Sequence, residues 1–106
     1  MNNTAVGYLA LNANTTGGNN VATGRSALLL NTTGDANTAN GYAALAANTT
    51  GGTNVALGYS ALNIATTSSN QVAIGAGALD SMITNSFNDT EGKVDIKRVD
   101  AAVKSI

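Results

Sequence analysis

The chain contains no histidine and no cysteine, so neither a serine–histidine nor a cysteine–histidine nucleophile can be assembled from it. The usual zinc ligand sets are missing for the same reason. Gly58-Tyr59-Ser60-Ala61-Leu62 offers half of a nucleophile elbow but lacks the closing glycine and any base. The glycine-rich stretches carry no Gly-Lys-Ser or Gly-Lys-Thr, so they cannot hold a phosphate in the manner of a P-loop. Asp35 is the lone carboxylate of residues 1–79, and the glycine-aspartate pattern of calcium-binding repeats is absent. The chain therefore reads as a non-enzyme with no cofactor and no metal. Binding groups remain. Tyr8, Tyr42 and Tyr59 recur at one spacing, and an exposed tyrosine ladder offers flat faces and hydroxyls to a glycan. The competing expectation is that these rings cover the fold or fill a contact between chains.

The elements that must position these groups are set by a strict repeat. Gly7, Gly24, Gly41, Gly58 and Gly75 follow one another at intervals of 17 residues. Alanine precedes each by two (Ala5, Ala22, Ala39, Ala56, Ala73) and follows it by three (Ala10, Ala27, Ala44, Ala61, Ala78). Leucine comes next each time, at Leu11, Leu28, Leu45, Leu62 and Leu79. Between the blocks stands Asn-Thr-Thr-Gly, beginning at Asn14, Asn31 and Asn48, and decaying to Ala65-Thr66-Thr67-Ser68. A short period held this strictly means that each repeat is one unit stacked on its neighbours.

A 17-residue unit is too short for a helix pair, and glycine, asparagine and threonine are poor helix formers. The fold class expected is all-β: a parallel β-solenoid, or β-roll, of five 17-residue coils. One strand per coil is predicted at Val55-Ala56-Leu57 and its counterparts Val21-Ala22-Thr23 and Val72-Ala73-Ile74. A second is predicted through Ala61-Leu62 and the two residues beyond. Asn14, Asn31 and Asn48 are turn residues, closing Asx turns ahead of a glycine. Stacked coils lie about 4.8 Å apart, so five make a rod roughly 24 Å long. Identical residues then form ladders, and stacked asparagines can pass amide hydrogen bonds from coil to coil. Within the strand, Ala56 and Gly58 point to one side, Val55 and Leu57 to the other. Which side faces the coil interior stays open at this point.

Composition predicts association. The chain has three tyrosines, one phenylalanine and no tryptophan, and an alanine methyl contributes far less on burial than the ~2 kcal/mol of a leucine or valine. Against this stands an ordering entropy of roughly 1–2 kcal/mol per residue for the backbone alone. A single five-coil rod is expected to be marginal and an oligomer to remedy that. Arg25 and Asp35 are the only charged side chains in residues 1–79, so no basic patch for nucleic acid is present. No apolar run approaches the ~20 residues needed to span a bilayer, and no signal peptide is evident. Met1 enters directly at a repeat and Ile106 ends inside an apolar pattern, as expected of a piece of a longer fibre.

Three regions are expected: a solenoid over 1–79, a connector over 80–92 and an amphipathic helix over 93–106. In the last, Ile96, Val99, Val103 and Ile106 are spaced 3, 4 and 3, the seam of a coiled coil, and β-branched residues at both seam positions favour trimers. A single helix folded back on the last coil is the alternative.

Asn3-Thr4-Ala5-Val6-Gly7-Tyr8, then Ala10-Leu11 and Asn-Thr-Thr-Gly, resembles the repeats of phage tail-fibre-like proteins. Residues 69–78, Ser-Asn-Gln-Val-Ala-Ile-Gly-Ala-Gly-Ala, are similar to the head repeats of YadA-like trimeric autotransporter adhesins. The resemblance covers residues 3–79 and implies a homotrimeric β-roll on a virion or cell surface, with a coiled-coil stalk at 93–106. Those adhesin heads use a shorter repeat, and nothing here matches the chaperone domain that often ends a tail-fibre protein. The function expected is a structural and adhesive fibre segment whose partners are its own copies and a host-surface glycan or receptor. Two alternatives follow from the threonine pairs and the uncapped ends. One is a monomeric solenoid presenting a flat Thr/Asn face to ice or glycan; the other is a subunit of a self-assembling filament.

Overall fold

Each repeat lays down one short strand, and the strands stack in parallel in the order of the sequence. The computed structural model describes residues 2–79 and 93–96. The strands are β1 (Thr4–Val6), β2 (Val21–Thr23), β3 (Thr38–Asn40), β4 (Val55–Leu57), β5 (Gln71–Ile74) and β6 (Lys93–Ile96), in one sheet ordered β1-β2-β3-β4-β5-β6. From β1 to β5 the register advances by one repeat per strand: Ala5 pairs with Ala22, Ala22 with Ala39, Ala39 with Ala56 and Ala56 with Ala73. The result is a β-solenoid in which four complete turns separate β1 from β5. No helix occurs among the described residues.

The alanine side of the strand is the inside. Ala22, Ala39, Ala56 and Ala73 are fully buried. They pack in one core with Ala27, Ala44, Ala61, Ala78 and the column Leu28, Leu45, Leu62. Ala10, Leu11 and Leu79 pack partly buried against its ends, and Ala5, in the first strand, is exposed. Val21, Leu57 and their equivalents point outward. Small residues are demanded inside because two backbone walls of one coil must approach across a thin core.

The other half of the coil corrects the expected second strand. Residues 59–64 are consecutive turns, and Ser60 and Leu62 take φ of 57° and 53°. The same alternation runs through Ser26 and Leu28 and through Ala43 and Leu45. It splits the backbone hydrogen bonds. Ala27, Leu29 and Asn31 N–H donate back within the coil to Gly24, Ser26 and Leu28 carbonyls, while Leu28 and Leu30 N–H donate to Ala44 and Ala46 in the next coil. A left-handed residue that is not glycine costs roughly 1–2 kcal/mol, and this path tolerates it because the N–H groups from Ser26 to Asn31 are all bonded, within the coil or to a neighbouring one. It also turns the leucines of the column inward.

The C-terminal helix expected from residue 93 does not begin there. Lys93–Ile96 is a strand, with Val94 in register on Val72 and Ile96 on Ile74. Here the register advances by 22 residues, from Gln71 to Lys93, in place of 17. The physical reason is the open edge of β5, a row of unpaired backbone groups on which a further strand can form its ladder. Lys-Val-Asp-Ile alternates as a strand does, whereas so short a helix has a costly nucleus. Ile96 is therefore a strand residue. The other seam positions, Val99, Val103 and Ile106, and the connector lie outside the described residues.

Candidate interaction surface

Asparagine columns inside the coil hold the turns in place and so set the outer surface. Asn31 and Asn48 are fully buried. The Asn31 amide donates to Asn14 Oδ1 at 3.0 Å and the Asn48 amide to Asn31 Oδ1 at 2.8 Å, the expected coil-to-coil ladder. Each also donates to the glycine carbonyl three residues on, Asn14 to Gly17, Asn31 to Gly34 and Asn48 to Gly51. The closure is thus made by the amide N–H on a carbonyl. It buries Asn31 and Asn48, so the Asn-x-Thr pattern serves the turn.

A second column, not among the expected turn residues, recurs at the same 17-residue interval: Asn3, Asn20, Asn37, Asn54 and Gln71. Asn20, Asn37, Asn54 and Gln71 are buried. Asn37 shows the pattern. Its amide donates to Gly51 O at 2.9 Å, and its Oδ1 accepts the Asn54 backbone N–H and the Asn54 side-chain amide, both at 3.0 Å. The period that marked the glycines marks this column equally well, and attention to polar residues would have found it. Asn37→Leu leaves the Asn54 N–H buried without an acceptor and is expected to cost about 3 kcal/mol. A urea midpoint equal to that of the wild type would contradict this role.

The first ladder stops where Ala65 replaces asparagine. Asn48 Oδ1 and Ser68 Oγ are buried without a hydrogen-bond partner. Restoring the earlier motif with Ala65→Asn and Ser68→Gly supplies an amide donor to Asn48 and removes the stranded hydroxyl. A gain of about 1 kcal/mol is expected, read as a higher urea midpoint; an unchanged or lower midpoint counts against the ladder as a stabilising element.

Outside the coil, the strands and the residues after them form an uncovered face that is largely apolar. Val6 is 59 % and Leu57 37 % exposed, and Val21 also faces outward. Alongside runs the tyrosine column. Tyr42 and Tyr59 stack with centroids 5.1 Å apart and planes 13° from parallel. In the first coils Arg25 Cζ lies 5.3 Å from the Tyr8 ring centroid, a cation–π contact. Tyr42 and Tyr59 thereby occupy each other's facing sides and present edges and outer faces to a ligand. The threonine pairs divide. Thr15, Thr32 and Thr49 hydroxyls donate to Thr32, Thr49 and Thr66 carbonyls of the next coil, while Thr16, Thr33, Thr50 and Thr67 form an exposed column.

The backbone glycines sit behind this face and set its spacing. Gly7, Gly24, Gly41, Gly58 and Gly75 all have positive φ, from 118° to 135°, and each follows a strand at the point where the chain turns away. No family model, characterised protein or solved structure matches the chain.

Proposed function

We propose that this chain is a structural and adhesive segment of a trimeric surface fibre, of the kind found in phage tail fibres and related adhesins. The observation that carries the reading is the uncovered outer sheet face. Val6, Tyr8, Val21, Leu57 and Tyr59 are exposed there, while the interior consists mostly of alanine. Exposed apolar surface gains ~25 cal/mol per Å² when covered, and contiguous apolar patches on soluble proteins mark interaction sites. Copies of the chain would supply that cover, and the stacked coils would supply a stiff rod. Receptor contact, on a host-surface glycan or protein, falls to side chains projecting from the turns. The site of action is a virion fibre or a cell surface, and no cofactor is required.

Light scattering coupled to size exclusion tests the assembly, with three chains as the expected mass. A mass of one chain at every concentration sinks the trimer. Adhesion is tested separately by binding of the labelled protein to bacterial cells before and after periodate oxidation of their glycans. Loss of binding after oxidation identifies a glycan receptor, and no binding in either case removes the adhesive half of the proposal.

A second reading rests on the exposed column of Thr16, Thr33, Thr50 and Thr67. A monomeric solenoid would present this regular hydroxyl array to ice or glycan. Thermal hysteresis from a single-chain species is its expected signature.

A further inference from the structure

Residues 2–79 hold two charged side chains, Arg25 and Asp35, and they lie on opposite flanks of the outer sheet face. Arg25 comes just after β2 (Val21–Thr23), at the end where the strands turn away. Asp35 comes before β3 (Thr38–Asn40), at the end where the strands begin. Both are exposed, and neither forms an ion pair among the described residues. Each is held in place by the preceding coil. Asp35 Oδ1 accepts the Gly18 N–H at 2.7 Å, leaving its second oxygen for another donor. The Arg25 guanidinium packs over Tyr8, on a side chain that is exposed.

Between the two flanks lies the apolar face described above. Covering that face would strip water from both charges, and a charge losing its water needs an opposite charge in return. The placement supplies one. Arg25 belongs to the coil of β2 and Asp35 to the coil of β3, so they stand one rung apart, about 4.8 Å along the axis, within the span of an arginine side chain. Two chains lying parallel at the same height, flank against flank, bring the Arg25 of one to the Asp35 of the next.

We infer that the outer face docks a second copy of this chain in parallel, clasped by Arg25 of one copy on Asp35 of its neighbour. The inference rests on the fibre reading and specifies its contact. The surfaces that meet are different flanks, so the contact is heterologous and closes into a ring when the rotation per subunit allows. Three such contacts make the trimer, and each pairs the one cation with the one anion of residues 2–79.

Sedimentation analysis of the full chain tests this with four proteins: wild type, Arg25→Asp, Asp35→Arg and the double exchange. The wild type is expected at three chains. Either single exchange sets like charges together and weakens association by about tenfold or more per interface; the double exchange restores opposite charges and regains the wild-type mass. Arg25→Gln and Asp35→Asn, which remove the charge but keep a polar side chain, should weaken association less and flatten its salt dependence. If both single exchanges keep the wild-type mass and dissociation constant, the clasp is wrong while the trimer stands. If the double exchange fails to recover although its circular dichroism matches the wild type, the clasp is likewise wrong. A two-chain wild type overturns the ring, and a one-chain wild type overturns both the clasp and the fibre reading.

Discussion

Gly41→Ala is expected to destabilise the folded chain by roughly 3–5 kcal/mol, combining backbone strain and overpacking. Gly41 has φ of 135°, in a region that side-chain-bearing residues rarely enter. A Cβ placed there would stand 2.6 Å from Gly58 O and 2.7 Å from Gly58 C. Both are backbone atoms of the next coil, and that coil cannot drift. Gly58 N–H is bonded to Asn40 O and Gly75 N–H to Leu57 O, each at 2.8 Å. Relief would require opening the rung. Native domains hold about 5–15 kcal/mol in total, so one methyl at this column removes a large share. Gly52 is the control. An added Cβ comes to 3.0 Å from Asp35 O, with Asp35 N and C at ordinary contact distances of 3.7 and 3.9 Å, and no positive φ is imposed, so Gly52→Ala is expected to cost far less. Equal urea midpoints for the two variants would mean that the Gly7-to-Gly75 column does not set the rung spacing.

Leu45→Asp is expected to unfold the central coils at neutral pH. Leu45 is fully buried, in the column with Leu28 and Leu62, and these are the largest apolar side chains wholly inside the coil. Truncating a buried leucine costs about 2–5 kcal/mol, and a carboxylate placed in this apolar column of the described residues adds a desolvation penalty. Backbone strain is not the cause, since aspartate tolerates the left-handed φ of 53° that Leu45 adopts better than most residues do. The pH dependence identifies the mechanism. Burial raises the carboxyl pKa in the folded variant above its unfolded value of about 3.9. Stability is then greatest below the unfolded value and is lost as pH rises through the raised one. Leu45→Ala should show the cavity cost without that slope. A Leu45→Asp protein with wild-type melting temperature and mass at pH 7 would contradict the buried column and the assembly proposed to rest on it.

The two substitutions probe different walls of one coil. Glycine at the strand end lets successive rungs touch, and leucine in the turn half fills what remains between the walls. Asparagine columns on either side tie both walls to the carbonyls of Gly17, Gly34 and Gly51. Because every coil repeats these contacts, damage at one rung passes to the next through the same register. The outer face depends on all three systems for its spacing, and the proposed clasp of Arg25 on Asp35 depends on the rungs keeping their height.

Much of this was legible in the residues alone. A 17-residue period with alanine, glycine and leucine at constant offsets leaves a parallel stack as the economical arrangement, and strands stand at the three-residue blocks where β-branched residues begin the unit. Asparagine at equivalent turn positions implied a ladder, and Asn31 and Asn48 make it. Other features were decided only in three dimensions. Alternation told that Ala56 and Leu57 point to opposite sides, but inside and outside are defined by where the opposite wall lies. The turn half could not be distinguished from a strand by pattern, because Ser60 and Leu62 enter the left-handed region at a local cost that only hydrogen bonds to neighbouring coils offset. β6 was read as helical because apolar spacing over residues 93–106 ignores the unpaired edge of β5. Local preference speaks for one segment at a time; the stack supplies partners from 17 residues away, and those partners settle the conformation.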